Sequence, residues 1–295
     1  MKCSLCPRQC AADRVESLGF CRATTTPEAA TICVHRGEEP AICGEKGICN
    51  VFFSHCNLQC IYCQNHEIST HAQPPRFVGV EAIAQQIATL LPLTENIVGF
   101  VTPTHYAAHI PPIVERLHAL GLYPTVVYNT GGYDSVETLR ALAPYIDIYL
   151  PDYKYSDPGL ARRYSHAADY PQVALAALRE MYYQKGSPLP TDEGGLASSG
   201  IIVRHLVLPG QIQNSLAALE DIAGISTNLH ISLMAQYYPP RPGLPDQLGR
   251  TLTEEEYRQV ADHLHSLGFH NGWVQQLDSQ ASYRPDFSRQ QAFGL

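Results

Sequence analysis

The chain has 295 residues, 45% of them hydrophobic and 16% charged, with a formal net charge of −8. That length suits one large α/β domain with a small appendage, and the negative balance excludes a nucleic-acid or anionic-membrane partner held by bulk electrostatics. No apolar run is long enough for a transmembrane helix, and the first residues lack the apolar core of a signal peptide, so a cytoplasmic protein is expected.

All ten cysteines lie within the first 63 residues. In a cytosolic chain such clustering points to metal or redox chemistry before disulfides. Residues 1–50 show no sustained period and read as a small Cys-rich, metal-binding N-terminal lobe. Within it Cys3, Cys6, Cys10 and Cys21 follow a C-x2-C-x3-C-x10-C pattern. Four thiolates are enough for a zinc site or an auxiliary iron–sulfur cluster, and the spacing matches neither a common zinc ribbon nor a common ferredoxin run. Free thiols are the bland alternative, and Cys33, Cys43 and Cys49 are surplus.

From residue 51 to 240, short β-branched runs alternate with helical patterns. Strands are predicted at Asn50–Ser54, Ile97–Val101, Thr125–Asn129, Ile146–Leu150, Ile201–Leu208 and His230–Ala235. Helices are predicted at Val80–Leu91, Ile110–Leu120, Ser135–Ala143, Leu175–Gln184, Ser215–Ala223 and Glu254–Leu267, the last capped by Thr253. The Pro-, Gly- and Ser-rich stretch Ser187–Gly200 reads as an exposed loop, with a lid over the site as the sharper alternative. Residues 241–295 supply the final helix and a covering segment, in which Trp273–Leu277 either adds an edge strand or covers the barrel. Strand–helix alternation implies right-handed βαβ units and a parallel sheet; six of them favour a partial (β/α)6 barrel over an open sheet.

In parallel α/β folds the site forms where the strands end. The first strand is followed by Cys56, Cys60 and Cys63 in a C-x3-C-x2-C spacing, which holds three irons of a 4Fe–4S cubane and leaves the fourth open. Later strands are followed by Thr102-Pro-Thr-His105, Asn129-Thr-Gly-Gly132, Pro151-Asp-Tyr-Lys154 and Gln236-Tyr-Tyr-Pro239, while the fifth carries Arg204-His205. Together they outline a polar cavity around the cysteine loop. His105 and His205 stand out among the histidines for their places on or after strands, and Asp152 and Lys154 share one face of an extended segment.

The cysteine motif with Tyr62 before its last cysteine, together with Cys3–Cys10, Gly19–Cys21, Val101–Tyr106, Tyr128–Tyr133, Asp152–Tyr155 and Val203–Gly210, resembles the radical S-adenosylmethionine (SAM) superfamily, and more closely uncharacterised homologues of pyruvate formate-lyase activating enzyme. The resemblance implies a 4Fe–4S cluster on Cys56, Cys60 and Cys63 that chelates SAM and cleaves it to a 5′-deoxyadenosyl radical, which abstracts hydrogen from a substrate. It implies that Thr102, Thr104 or His105 stands where relatives hold the SAM amino group with a Gly-Gly-Glu-Pro stretch, although no Glu is present. Asp152 and Lys154 match an Asp-x-Lys motif that serves SAM and a monovalent cation. Asn129 replaces an Asp of those enzymes, with Thr130 and Gly132 retained around it; Arg204 matches a strand arginine, and Gln236 completes the cofactor-binding set. A reducing protein such as flavodoxin or ferredoxin is the implied electron source. A glycyl-radical protein or peptide is a weaker expectation, because the stretch Cys43–Cys49 departs from the activating enzymes' Gly-x-Gly-x-Arg. The competing reading is a non-catalytic iron–sulfur or zinc protein for electron transfer or partner docking.

Overall fold

The computed structural model describes residues 2–70, 73–281, 284–289 and 291–293. Among the described residues nine strands form one sheet: β1 (Glu28–His35), β2 (Ile48–Phe53), β3 (Phe77–Val78), β4 (Ile97–Val101), β5 (Thr125–Thr130), β6 (Ile148–Pro151), β7 (Gly200–Leu206), β8 (His230–Met234) and β9 (Gly272–Val274). Their order is β3-β1-β2-β4-β5-β6-β7-β8-β9. All pairings from β2 through β9 are parallel, whereas β1 runs antiparallel to both β2 and β3. The fold is therefore α/β, a partial barrel whose first six parallel strands are the six expected from the sequence. β9 adds a seventh at the edge. The antiparallel strand β1 draws residues 28–35 into the sheet, away from the rest of the Cys-rich N-terminus.

The strands read as near-continuous apolar runs because both faces are covered. The helices lie outside. Val80–Leu90 buries Ile83, Ala84 and Ile87 against the sheet, and Glu254–Ser266 starts with a complete capping box between Thr253 and Glu256. The helix Pro158–Ser165, absent from the sequence reading, is capped by Asp157, whose side chain accepts from Gly159 and Leu160. Inside the barrel the packing is partly polar. Gly99 on β4 is required there: a Cβ would stand 2.1 Å from Asn50 Oδ1 on β2.

The loop 187–200 precedes β7 and so lies at the N-terminal end of the parallel strands, opposite the cysteine loop. It packs on the short helix Pro40–Cys43, where Ala197 N–H donates to Ala41 O at 2.7 Å, and this place rules it out as a lid over the cysteines. Among the described residues no helix is long and apolar enough to cross a membrane.

Candidate active site

A cavity of about 590 Å³ fills the barrel interior, within the range of small-molecule sites. Cys56, Cys60 and Cys63 line its mouth, and each sulfur accepts a hydrogen bond: Cys56 from Leu58 N–H at 3.3 Å, Cys60 from Ser165 Oγ at 2.9 Å, Cys63 from Ser69 Oγ at 3.5 Å. Burial pushes the Cys56 thiol up to about 12 and the Cys63 thiol to about 11, and the neighbouring thiols add to both shifts. By themselves these are neutral thiols; a bound cation centre reverses that preference. Three sulfurs on one loop, facing one cavity and each carrying a donor, fit an iron–sulfur cluster, whose thiolates are tuned by such donors. Among the described residues no three of His, Cys, Asp or Glu stand close enough to share one metal ion.

Beneath the loop lies a charge network. Asp152, just past β6, accepts from Arg204 Nε at 2.8 Å through Oδ1 and from Lys154 Nζ at 2.6 Å through Oδ2. Burial alone would raise the Asp152 carboxyl, but Arg204 and then Lys154 outweigh it and hold it below the usual carboxylate range. Lys154 is raised: burial opposes its charge, and Asp152 and Cys60 overcome it. Arg204 Nη2 also donates to Asn129 Oδ1 at 2.7 Å, and its Nη1 stands 3.3 Å from Glu38 Oε2.

Thr102, Asn129, Thr130, Asp152, Lys154, Arg204 and Gln236 all line the cavity. Thr102 does so with φ +54, a left-handed conformation that costs a β-branched residue on the order of 1–3 kcal/mol. Thr104 and His105 are placed elsewhere. Thr104 is buried behind the wall, donating to Asp134 Oδ1 at 2.7 Å. Asp134 also accepts from Tyr128 OH and from Thr130 Oγ1, so the Thr130 hydroxyl is engaged on that side. His105 is buried under the cysteine loop, with Nε2 2.8 Å from Ser54 O. Gly132, at φ +80, lies beside the wall: a Cβ would stand 2.3 Å from Asp152 O, so glycine permits the turn that positions Asp152. His205 faces outward as a packing residue; Nδ1–H donates to Tyr153 O at 2.6 Å and Nε2 accepts from Ser215 Oγ at 2.9 Å.

Cys3, Cys6, Cys10 and Cys21 lie together beside the cysteine loop. Cys6 and Cys21 are buried, and each feels the field of other N-terminal thiols. Arg8 fastens this region down: Nε donates to Asn57 O at 2.9 Å, Nη2 to Ser165 O at 3.0 Å and Nη1 to His166 O, with the guanidinium 4.0 Å from the centroid of Phe20. Gln59 Nε2 donates to Phe20 O at 2.9 Å. The sequence reading missed the floor of the cavity, formed by His35, Glu38, Glu39 and Pro40. Because β1 is antiparallel, His35 sits opposite Ile48 at the start of β2, and the chain that follows turns up into the barrel. Glu38 Oε1 accepts from Asn50 Nδ2 at 2.8 Å and lies 3.4 Å from Asn129 Nδ2. The only sequence signal was two adjacent acids before a helix-starting proline, which reads equally well as an exposed helix start.

Residues 50–185 match the Radical SAM superfamily. Over 276 residues the chain is 28% identical to an uncharacterised protein of Methanocaldococcus jannaschii, covering 88% of this chain and 73% of that one. Among solved structures it is similar to methylornithine synthase, at 17% identity and a TM-score of 0.46, with 74% of this chain covering 62% of that one. It is also similar to a domain of pyruvate-formate lyase-activating enzyme from Bacteroides vulgatus, at 15% identity and a TM-score of 0.40, with 58% of this chain covering 93% of that one.

Proposed function

We propose that this chain, whose residues 50–185 carry the Radical SAM superfamily domain, is an oxygen-sensitive enzyme that uses SAM as a radical source. The observation that carries the reading is the set of three cavity-lining sulfurs, Cys56, Cys60 and Cys63, each with its own hydrogen-bond donor. Bound there, a 4Fe–4S cluster would supply the electron that splits SAM into methionine and a 5′-deoxyadenosyl radical. The chain's own residues bind and orient. Lys154 and Arg204, aligned by Asp152, offer positive charge to the SAM carboxylate; Thr102, Asn129 and Gln236 offer hydrogen bonds around it. Tyr62, buried beneath the loop, accepts from Tyr155 OH at 2.7 Å and helps keep water from the reacting centre. Asn129 carries no charge and both Asp152 oxygens are taken by Arg204 and Lys154, so this wall does not fit the monovalent cation that the resemblance implies.

The reading includes a second metal centre, zinc or an auxiliary cluster, on Cys3, Cys6, Cys10 and Cys21, and a flavodoxin- or ferredoxin-type electron donor. The test is anaerobic reconstitution with iron and sulfide, reduction in the presence of SAM, and detection of 5′-deoxyadenosine by mass spectrometry. Product from the parent and none from Cys56→Ala supports the reading. Equal product from both overturns the ligand assignment, and a clustered parent that neither binds nor cleaves SAM supports the electron-transfer alternative. Metal analysis of Cys6→Ala against the parent separates zinc from iron at the second centre.

A further inference from the structure

We propose that the floor of the barrel is a substrate subsite for a small molecule bearing an ammonium or guanidinium group; its catalytic use rests on the radical SAM reading, its binding does not. The mouth and floor differ in what their polar atoms already touch. Asp152 has one cation on each oxygen, from Arg204 and Lys154, and Glu38 has one oxygen on Asn50 and the other facing Arg204. Glu39 is the acid on the floor with an oxygen left open. It is 8% exposed and lines the cavity, and among the described residues its Oε2 has no hydrogen-bond partner. The same holds for Nδ1 of His35, 7% exposed on the same floor. A buried oxygen with no donor is costly to maintain, so two such atoms facing one cavity define a site that a ligand's N–H groups complete.

Charge selects the ligand's sign. Glu38, Glu39, Asp152 and Asp278 line the cavity with Arg204 and Lys154, four acids against two cations, and burial raises Glu39 above the usual carboxylate range even with Arg204 near it, so its ionised form lacks a counter-charge. His35 adds no charge near neutrality, since burial pushes it down to about 4. An anion placed on the floor would lie against Glu38 and Glu39. A neutral donor would satisfy Glu39 and leave the excess uncorrected. A monocation with N–H donors does both, and the aromatic walls Trp273 and Phe293 suit it; Phe293 already lies 4.0 Å from the His35 ring. Size limits the ligand further. The same cavity of about 590 Å³ must also take SAM, and the C-terminal segment closes one side, with Arg76 donating to Phe287 O at 2.9 Å and to Arg289 O at 2.8 Å.

The probes are propylammonium and propylguanidinium chloride, set against 1-propanol, propionamide, sodium propionate and potassium chloride, titrated into the reconstituted full chain and followed by thermal shift. The two organic cations are expected to raise Tm with the others inert, and Glu39→Gln is expected to bind them at least tenfold more weakly while melting as the parent does without probe. Glu39→Asp, which keeps the charge, guards against a folding defect in the first variant and is expected to regain part of the response. Equal stabilisation by propanol or propionamide, stabilisation by potassium instead, or full cation binding by Glu39→Gln overturns the proposal. SAM binding on the same samples keeps the two readings apart: SAM bound without probe binding refutes only the floor, and probe bound without SAM refutes only the cofactor reading.

Discussion

The two ends of the cavity are built by opposite chain directions. At the mouth, side chains come from segments that leave parallel strands: Cys56–Cys63 after β2, Thr102 after β4, Asp152 and Lys154 after β6, Gln236 after β8. At the floor they come from Arg36–Pro40, which leaves the antiparallel strand β1 at the other end of the barrel. The mouth is dense in satisfied pairs around Asp152, whereas the floor keeps Glu39 with an oxygen unpartnered among the described residues. One end is thus preorganised around its own charges, as a site for an invariant cofactor requires. The other holds its hydrogen-bonding capacity open, as a site for a separate molecule requires.

The largest expected effect is at the mouth. Cys56→Ala should abolish SAM cleavage outright, because a cluster deprived of one of three ligands loses its differentiated iron; 5′-deoxyadenosine yield per cluster is the measurement, and substantial product in the variant breaks the assignment.

Next comes Asp152→Ala, which leaves Arg204 and Lys154 together without their shared carboxylate. Removing one member of a buried ion group costs about 3–5 kcal/mol, and with 17% of its side chain exposed Asp152 belongs at about 3 kcal/mol. Urea unfolding of the apo protein measures it. A loss below about 1 kcal/mol would mean that solvent screens the network and that the mouth is less preorganised than its geometry indicates. Gly132→Ala acts on the same carboxylate through the backbone. At φ +80 with a Cβ 2.3 Å from Asp152 O, about 2–3 kcal/mol of destabilisation is expected, with weaker SAM binding because Asp152 is displaced. Unaltered stability would show that the turn relaxes without moving Asp152.

The wall between the two ends has its own signature. Burial pushes His205 down to about 4 from an ordinary 6.5. Between those values the unfolded chain binds a proton that the folded chain does not, so stability is intact above about pH 6.5 and falls as pH drops toward 4. From pH 7 to 5 the parent should lose about 2 kcal/mol more than His205→Gln in urea unfolding. Parallel losses would mean that His205 ionises in place.

Most of the mouth was legible because two sequence rules agree there: apolar runs mark the parallel strands, and the polar residues after them converge. β4 matches its predicted Ile97–Val101 span, and the helices Val80–Leu90 and Glu254–Ser266 end within a residue of expectation. Thr104 and His105 satisfied the same rule yet lie behind the wall, since a short 3-10 turn at Thr104–His109 swings their side chains into the packing around Asp134 and Ser54. Strand-end position gives the loop, not the side-chain direction. The floor was illegible for a different reason. β1 carries the same apolar pattern as a core strand, but its direction is decided only by pairing with β2, and without that direction nothing in Glu38 and Glu39 separates a barrel floor from an exposed helix start.

The smallest effect tests most directly whether mouth and floor are separate. Lys154→Met keeps the length of the side chain and removes its charge, leaving Asp152 still held by Arg204. SAM binding should weaken about tenfold, equivalent to about 1.4 kcal/mol, with iron content unchanged. The floor should keep its affinity for propylguanidinium, because Arg204 and not Lys154 is the cation whose charge reaches Glu39. Normal SAM affinity would remove Lys154 from the cofactor's surroundings. Equal weakening of SAM and probe would show that Lys154, Asp152, Arg204 and Glu39 respond as one charge system, so that the cavity has a single electrostatic site where its geometry draws two.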